Sequence, residues 1–151
     1  MTTKVIRFLN IILAALLAGV SFGIWIGFNP MNLSAPAYLE QQQNMLRALR
    51  ILMVSLVVIA ALITIISAFL QKNNKPVFFA LLIASVFFIS CIIITRFGNK
   101  PIDDAVMTWT TNSLPYNWTE LRDKWWSLHI LRTIAELAAL FLITWTSIKR
   151  D

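Results

Sequence analysis

From Ile51 to Leu70 the chain carries no charged residue, and Arg50 and Lys72 stand at its two ends. A run of about 20 apolar residues, rising about 1.5 Å each as a helix, spans the roughly 30 Å hydrocarbon layer of a bilayer. Three further runs share this character. Phe8 to Phe28 follows Lys4 and Arg7 and stops at Asn29-Pro30. Val77 to Thr95 opens behind Pro76 and closes at Arg96. Trp125 to Ile148 differs, because it holds His129, Arg132 and Glu136. With their flanks, the spans are expected at about 6–28, 47–70, 76–96 and 124–148 in a single transmembrane domain covering 1–151.

Composition agrees with these runs. The 151 residues are 58% hydrophobic and only 13% charged, too little charge to cover a soluble surface. Mean hydropathy is +0.73. The net charge of +6 sits mainly beside the apolar runs, where basic residues anchor membrane helices rather than grip nucleic acid. Cys91 is the only cysteine, which excludes an intrachain disulfide and a CxxC redox pair. A single histidine argues against a multi-histidine metal or haem site, so no metal is expected. A cleaved leader is the competing reading of the first run, with Ala35-Pro36-Ala37 as the cleavage-like site. The run is long for a leader, and three more follow it.

The expected fold is all-α: an integral membrane four-helix bundle with a long structured loop between helices three and four. Both termini then lie on one side. The polar turn Gln71 to Lys75 makes helices two and three a hairpin. The excursion 29–45 is expected to hold a short helix from Pro36 through Gln43. The link 97–116 holds Pro101, Trp109 and Pro115, after which Asn117 and Glu120 form a capping-box pattern.

Alternating spans gather polar residues at one end of the bundle. Lys4, Arg7, Lys72, Lys75, Lys149 and Arg150 make the other end a plain anchoring set. On helix four Trp125, His129, Arg132, Thr133 and Glu136 recur at three and four residues, hence on one face. Ionisable groups inside a span are costly, so they point into the bundle and work there. The structural alternative pairs Arg132 with Glu136 one turn on and lets His129 reach the interface. On helix two Gln43, Arg47 and Arg50 share a face at the same mouth, as substrate contacts or as headgroup anchors. Trp118 and Trp126 suit an interfacial belt, while Trp25 and Trp125 are placed to stack on an aromatic ligand. Gly19, Gly23 and Gly27, extended by Ala15, form a small-residue stripe for close packing of a helix of this chain or of a second copy in a homo-oligomer.

One stretch is distinctive. Asn99-Lys-Pro-Ile-Asp103, Trp109, Pro115-Tyr-Asn-Trp118, Leu121-Arg122, Trp125, His129 and Arg132-Thr133 together resemble the anthrone oxygenase-like family, otherwise known as a domain of unknown function. The glycine-rich first helix, the Asn29-Pro30 exit and the Gln43 helix are similar too. Asp103 stands where that family usually has Asn, and Asn117 where it often has Asp. The resemblance implies a cofactor-independent oxygenase that turns anthrones, flat tricyclic phenols, into anthraquinones with dioxygen.

On that implication His129 and Arg132 are the catalytic pair, His129 as base and Arg132 as holder of the phenolate. Trp25 and Trp125 would sandwich the rings. Arg47, Asn99 and Asp103 would bind phenolic oxygens or close the mouth. Asn29, Gln43, Trp109 and Glu136 complete the expected substrate-binding set, with Glu136 bracing Arg132. The partners expected are a hydrophobic small molecule or lipid and the membrane, with no nucleic acid. The expected location is a bacterial inner (plasma) membrane, with both termini cytoplasmic. Two rival functions fit the same residues: a non-catalytic accessory or scaffold subunit docking through the glycine stripe, and a small transporter of an anionic amphiphile using Arg47, Arg50 and Arg132.

Overall fold

The computed structural model describes residues 2–148. Met1, Lys149, Arg150 and Asp151, four residues of the expected terminal side, lie outside the described residues. The described residues form five α-helices: α1 (Thr2–Gly27), α2 (Ala35–Leu70), α3 (Lys75–Ile94), α4 (Lys100–Val106) and α5 (Trp118–Ile148). A π-helical segment, Thr95–Asn99, joins α3 to α4 without a break. Four helices are thus long and apolar enough to cross a membrane. The architecture is that of an all-α integral membrane bundle.

Two boundaries differ from expectation. The short helix expected from Pro36 to Gln43 is not separate, because α2 runs unbroken from Ala35 through the whole second span. Pro36 lies in its first turn, where a missing N–H costs nothing. Likewise Arg96 does not end the third span, since helix continues through Pro101 to Val106. The π-helical turn accommodates Pro101 by shifting the hydrogen-bond register ahead of it. Among the described residues the capping box at Asn117 is not formed; the first turn of α5 closes instead on the backbone, Leu121 N–H to Asn117 C=O. Asn74 does cap α3, its side chain accepting from Val77 N–H.

The helices alternate in direction, and each long helix packs on two neighbours. α1 touches α2 and α5, and α3 touches α2 and α5. Arg7 donates to the Ser147 carbonyl, so the start of α1 and the end of α5 lie together. Two apolar clusters fill the bundle. One, with Leu17, Leu81, Phe88 and Ile143, occupies the terminal half. The other, with Ile24, Leu46, Val106, Trp125 and Trp126, occupies the polar end. Phe8, Ile51, Phe79, Ile93 and Phe141 face outward, as lipid-facing side chains do. The glycine stripe also faces out: a Cβ added at Gly19, Gly23 or Gly27 would meet nothing within 4 Å, so no helix of this chain packs on it.

Candidate functional site

The apolar run of α5 leaves one polar stripe, and the bundle buries it. His129 is fully buried, Glu136 is 2% exposed, and Trp125 and Thr133 lie on the same face. His129 stacks flat on Trp125, with centroids 5.3 Å apart and planes 3° from parallel. Trp126 stacks on it as well, at 5.6 Å. Its two ring nitrogens have fixed parts. Nε2 lies 3.1 Å from the Ser21 carbonyl, which can only accept, so Nε2 carries the proton. Nδ1 lies 3.2 Å from Arg132 Nη2, which can only donate, so Nδ1 presents its lone pair. The imidazole is neutral and committed at both nitrogens. Arg132 completes its hold by donating from Nη1 to Thr95 Oγ1 at 2.8 Å.

A second stripe faces this one. Thr95, Asn99 and Asp103 recur every fourth residue through the π-helical turn and α4, and each bonds α5. Thr95 takes Arg132, Asn99 Nδ2 donates to the Trp125 carbonyl at 3.1 Å, and Asp103 Oδ1 accepts from Trp125 Nε1–H at 2.7 Å. Among the described residues Asp103 is held through Oδ1, and no hydrogen bond reaches its Oδ2. Gly98 lies at the contact of the two stripes, where a Cβ would lie 2.7 Å from Leu128 Cδ1, the far end of that side chain.

Three cavities adjoin these stripes. The largest, about 430 Å³, is an open cleft between α2 and α3, apolar in its depth and bounded by Arg50, Arg96, Lys100 and Asp103 at its polar end. An inner chamber of about 50 Å³ is lined by Asn99, Asp103, Trp125, His129 and Arg132, with Met45 and Met53 among its apolar walls. A third space, about 10 Å³, lies between Cys91, Thr95, Arg132 and Glu136, room for about one water. Among the described residues neither Arg132 Nε nor Glu136 Oε2, both buried there, has a hydrogen-bond partner. Asp103 and Arg50 stand in the wall common to the cleft and the inner chamber. Among the described residues no three His, Cys, Asp or Glu side chains come together to hold a metal.

The structure therefore brings together Asn99, Asp103, Trp125, His129 and Arg132 around one chamber, with Glu136 one cavity further in. Other expected contacts lie elsewhere. Trp25 makes an edge contact with Phe22 and lines none of these cavities, so it does not sandwich a ligand against Trp125. Trp125 is itself covered by His129 and Trp126. Gln43 donates to the carbonyls of Val106 and Trp109, closing the end of α4, and Trp109 packs in the apolar cluster. Arg47 is exposed and bonds Asn44 and Gln43. Asn29 accepts from Met31 N–H in the turn after α1. Glu136 does not brace Arg132: among the described residues no ion pair joins them, because Arg132 is already turned to Thr95 and His129.

Sequence reasoning passed over Thr95, Ser21 and Met53. Thr95 carried a signal, its four-residue spacing to Asn99 and Asp103, but Arg96 beside it read as the end of the helix. Ser21 contributes a backbone carbonyl and left no trace in residue type.

Residues 42–142 match the family of anthrone oxygenases, and this segment includes all of α3 and α4, most of α2 and α5, and every residue lining the inner chamber except Ile24. No curated protein matches the chain, and no solved structure does. With more than half of its length matched, the chain belongs to the anthrone oxygenase family.

Proposed function

We propose that the protein is a membrane-embedded oxygenase that converts a hydrophobic phenolic aromatic of the anthrone kind to its quinone with dioxygen, using no cofactor. The observation that carries this reading is the place of Asp103. Asp103 lines both the 430 Å³ cleft and the inner chamber, and its Oδ1 is the oxygen held by Trp125. That volume falls within the range of about 300–1,000 Å³ typical of small-molecule sites. The 50 Å³ chamber is too small for three fused rings.

The chemistry follows from that division. Asp103 Oδ2 takes one proton from the ring methylene, and the pair left behind spreads over the flanking rings and the phenolic oxygen. The carbanion transfers electrons to dioxygen, a C–O bond forms, and a proton completes the hydroperoxide. Loss of the second C–H proton with cleavage of the O–O bond leaves the quinone carbonyl and one water. One dioxygen is consumed; the substrate loses two hydrogens and gains one oxygen. Arg132, positioned by His129 and Thr95, lines the inner chamber behind Asp103 and supplies fixed positive charge on that side of the shared wall. His129 in this scheme orients Arg132, since its lone pair is already directed there.

The test is oxygen uptake by the full-length protein in lipid nanodiscs supplied with anthrone. Asp103→Asn is expected to lower turnover at least about 100-fold, the usual weight of a positioned base, while anthraquinone still binds. His129→Gln is expected to lose less. The reverse ranking moves the base to His129, and a wild-type protein that consumes no oxygen removes the oxygenase reading. The rest of the proposal is orientation: both termini cytoplasmic and the cleft opening at the outer side of a plasma membrane. Lys4, Arg7, Lys72 and Lys75 crowd against their spans, whereas the basic residues of the other end are spread over longer segments. Cysteine labelling of the Lys72–Lys75 turn from outside the cell would reverse it.

A further inference from the structure

The α2–α3 cleft is unevenly built. Val54, Val57, Val58 and Ile92 line its apolar part, with Val54 and Val58 at its outer edge, while Arg50, Arg96 and Lys100 stand at its polar end. Asp104 accepts from both Arg50 and Lys100, so one carboxylate serves two cations. Arg96 forms no ion pair among the described residues; its guanidinium lies over the Phe97 ring, 5.6 Å from the centroid. Arg96 precedes Asp103 by seven residues, or about 10 Å along a helix axis at 1.5 Å per residue. It therefore sits deeper toward the apolar run than Asp103, facing an apolar cavity without a counter-ion. Arg96 is exposed, so its guanidinium is open to an anion that enters the cleft beside it.

We propose that this cleft takes an anionic amphiphile: a flat apolar ring system whose ionised acid group binds Arg96 at the end remote from the carbon presented to Asp103. The inference rests on the cleft being the substrate site of the proposed oxygenase, and it narrows the substrate class from any hydrophobic phenol to ring acids. An anionic phospholipid headgroup offers the same charge. A bounded cleft with a carboxylate, Asp103, in its wall favours the small molecule, because a lipid phosphate gains nothing from that neighbour.

The test uses unreactive ligands, so it does not depend on turnover. Binding of anthraquinone and of an anthraquinone carboxylate is measured by tryptophan fluorescence, with the full-length protein in phosphatidylcholine nanodiscs. The carboxylate is expected to bind about tenfold more tightly than the neutral ring, the scale of one charge-assisted contact. Arg96→Gln should erase that preference and leave the affinity for the neutral ring unchanged. Arg47→Gln, an equally exposed arginine outside the cleft, should change neither. Equal affinities in the wild type, a preference that survives Arg96→Gln, or binding of neither ligand overturns the inference. Loss of the carboxylate preference when phosphatidylglycerol is added assigns Arg96 to lipid and also overturns it. An acid preference without oxygen uptake would defeat the oxygenase and keep the site; uptake with neutral anthrone and no acid preference would do the opposite.

Discussion

Trp125 donates its indole N–H to Asp103 Oδ1 across 2.7 Å, joining α5 to α4. The same indole lies flat against His129, so one side chain holds the carboxylate with its edge and the imidazole with its face. The two groups at the wall of the inner chamber thus share a support. Either can be disturbed without touching it directly.

Trp125→Phe separates those parts. Phenylalanine keeps a ring for His129 but offers Asp103 no donor. Losing a buried hydrogen bond to a charged acceptor costs about 1.5–3 kcal/mol. The bundle should unfold at a lower temperature in detergent, and oxygen uptake should fall about tenfold or more. Unchanged uptake would mean that the orientation of Asp103 is irrelevant to turnover.

Arg132 and Glu136 give opposite expectations. Glu136 has an orphaned Oε2 and no ion-pair partner among the described residues, so Glu136→Gln should leave thermal stability within about 1 kcal/mol or raise it. Thr95→Val removes a working donor–acceptor pair with Arg132 and should cost about 1.5–3 kcal/mol. Unfolding by urea or sodium dodecyl sulfate in mixed micelles ranks the two. A larger loss for Glu136→Gln than for Thr95→Val would show that Glu136 does brace the arginine.

Gly98 is the point where the π-helical turn meets α5. Gly98→Ala places a methyl 2.7 Å from Leu128 Cδ1, and that leucine must rotate or α3 must retreat. A loss of about 1–3 kcal/mol is expected, the usual cost of overpacking. Leu128→Ala in the same chain should recover part of it. The coupling is read from a double-mutant cycle. Strict additivity of the two losses would show that the contact carries no energy.

The division between what residue order shows and what it hides is physical. The face carrying Trp125, His129, Thr133 and Glu136 is legible because a polar stripe stands out in an apolar helix, and its period needs no tertiary information. The four spans are legible for the same reason. Partner choice is different, because it depends on how neighbouring helices are rotated. Trp25 is off the chamber because α1 turns Ser21 and Ile24 inward, leaving Trp25 against Phe22. Gln43 is taken by the end of α4, a helix that Arg96 and Pro101 concealed. The π-helical turn carries no residue signature, yet it sets the register that brings Thr95, Asn99 and Asp103 to α5.

The cleft between α2 and α3 is flanked along its apolar part by outward-facing Ile51, Val54 and Val58. A hydrophobic molecule that reaches it past those side chains does so through the acyl layer, and the quantity that governs that supply is its mole fraction in lipid. An apparent Michaelis constant quoted in aqueous units would drift with the lipid-to-protein ratio, and would become constant only when expressed per lipid.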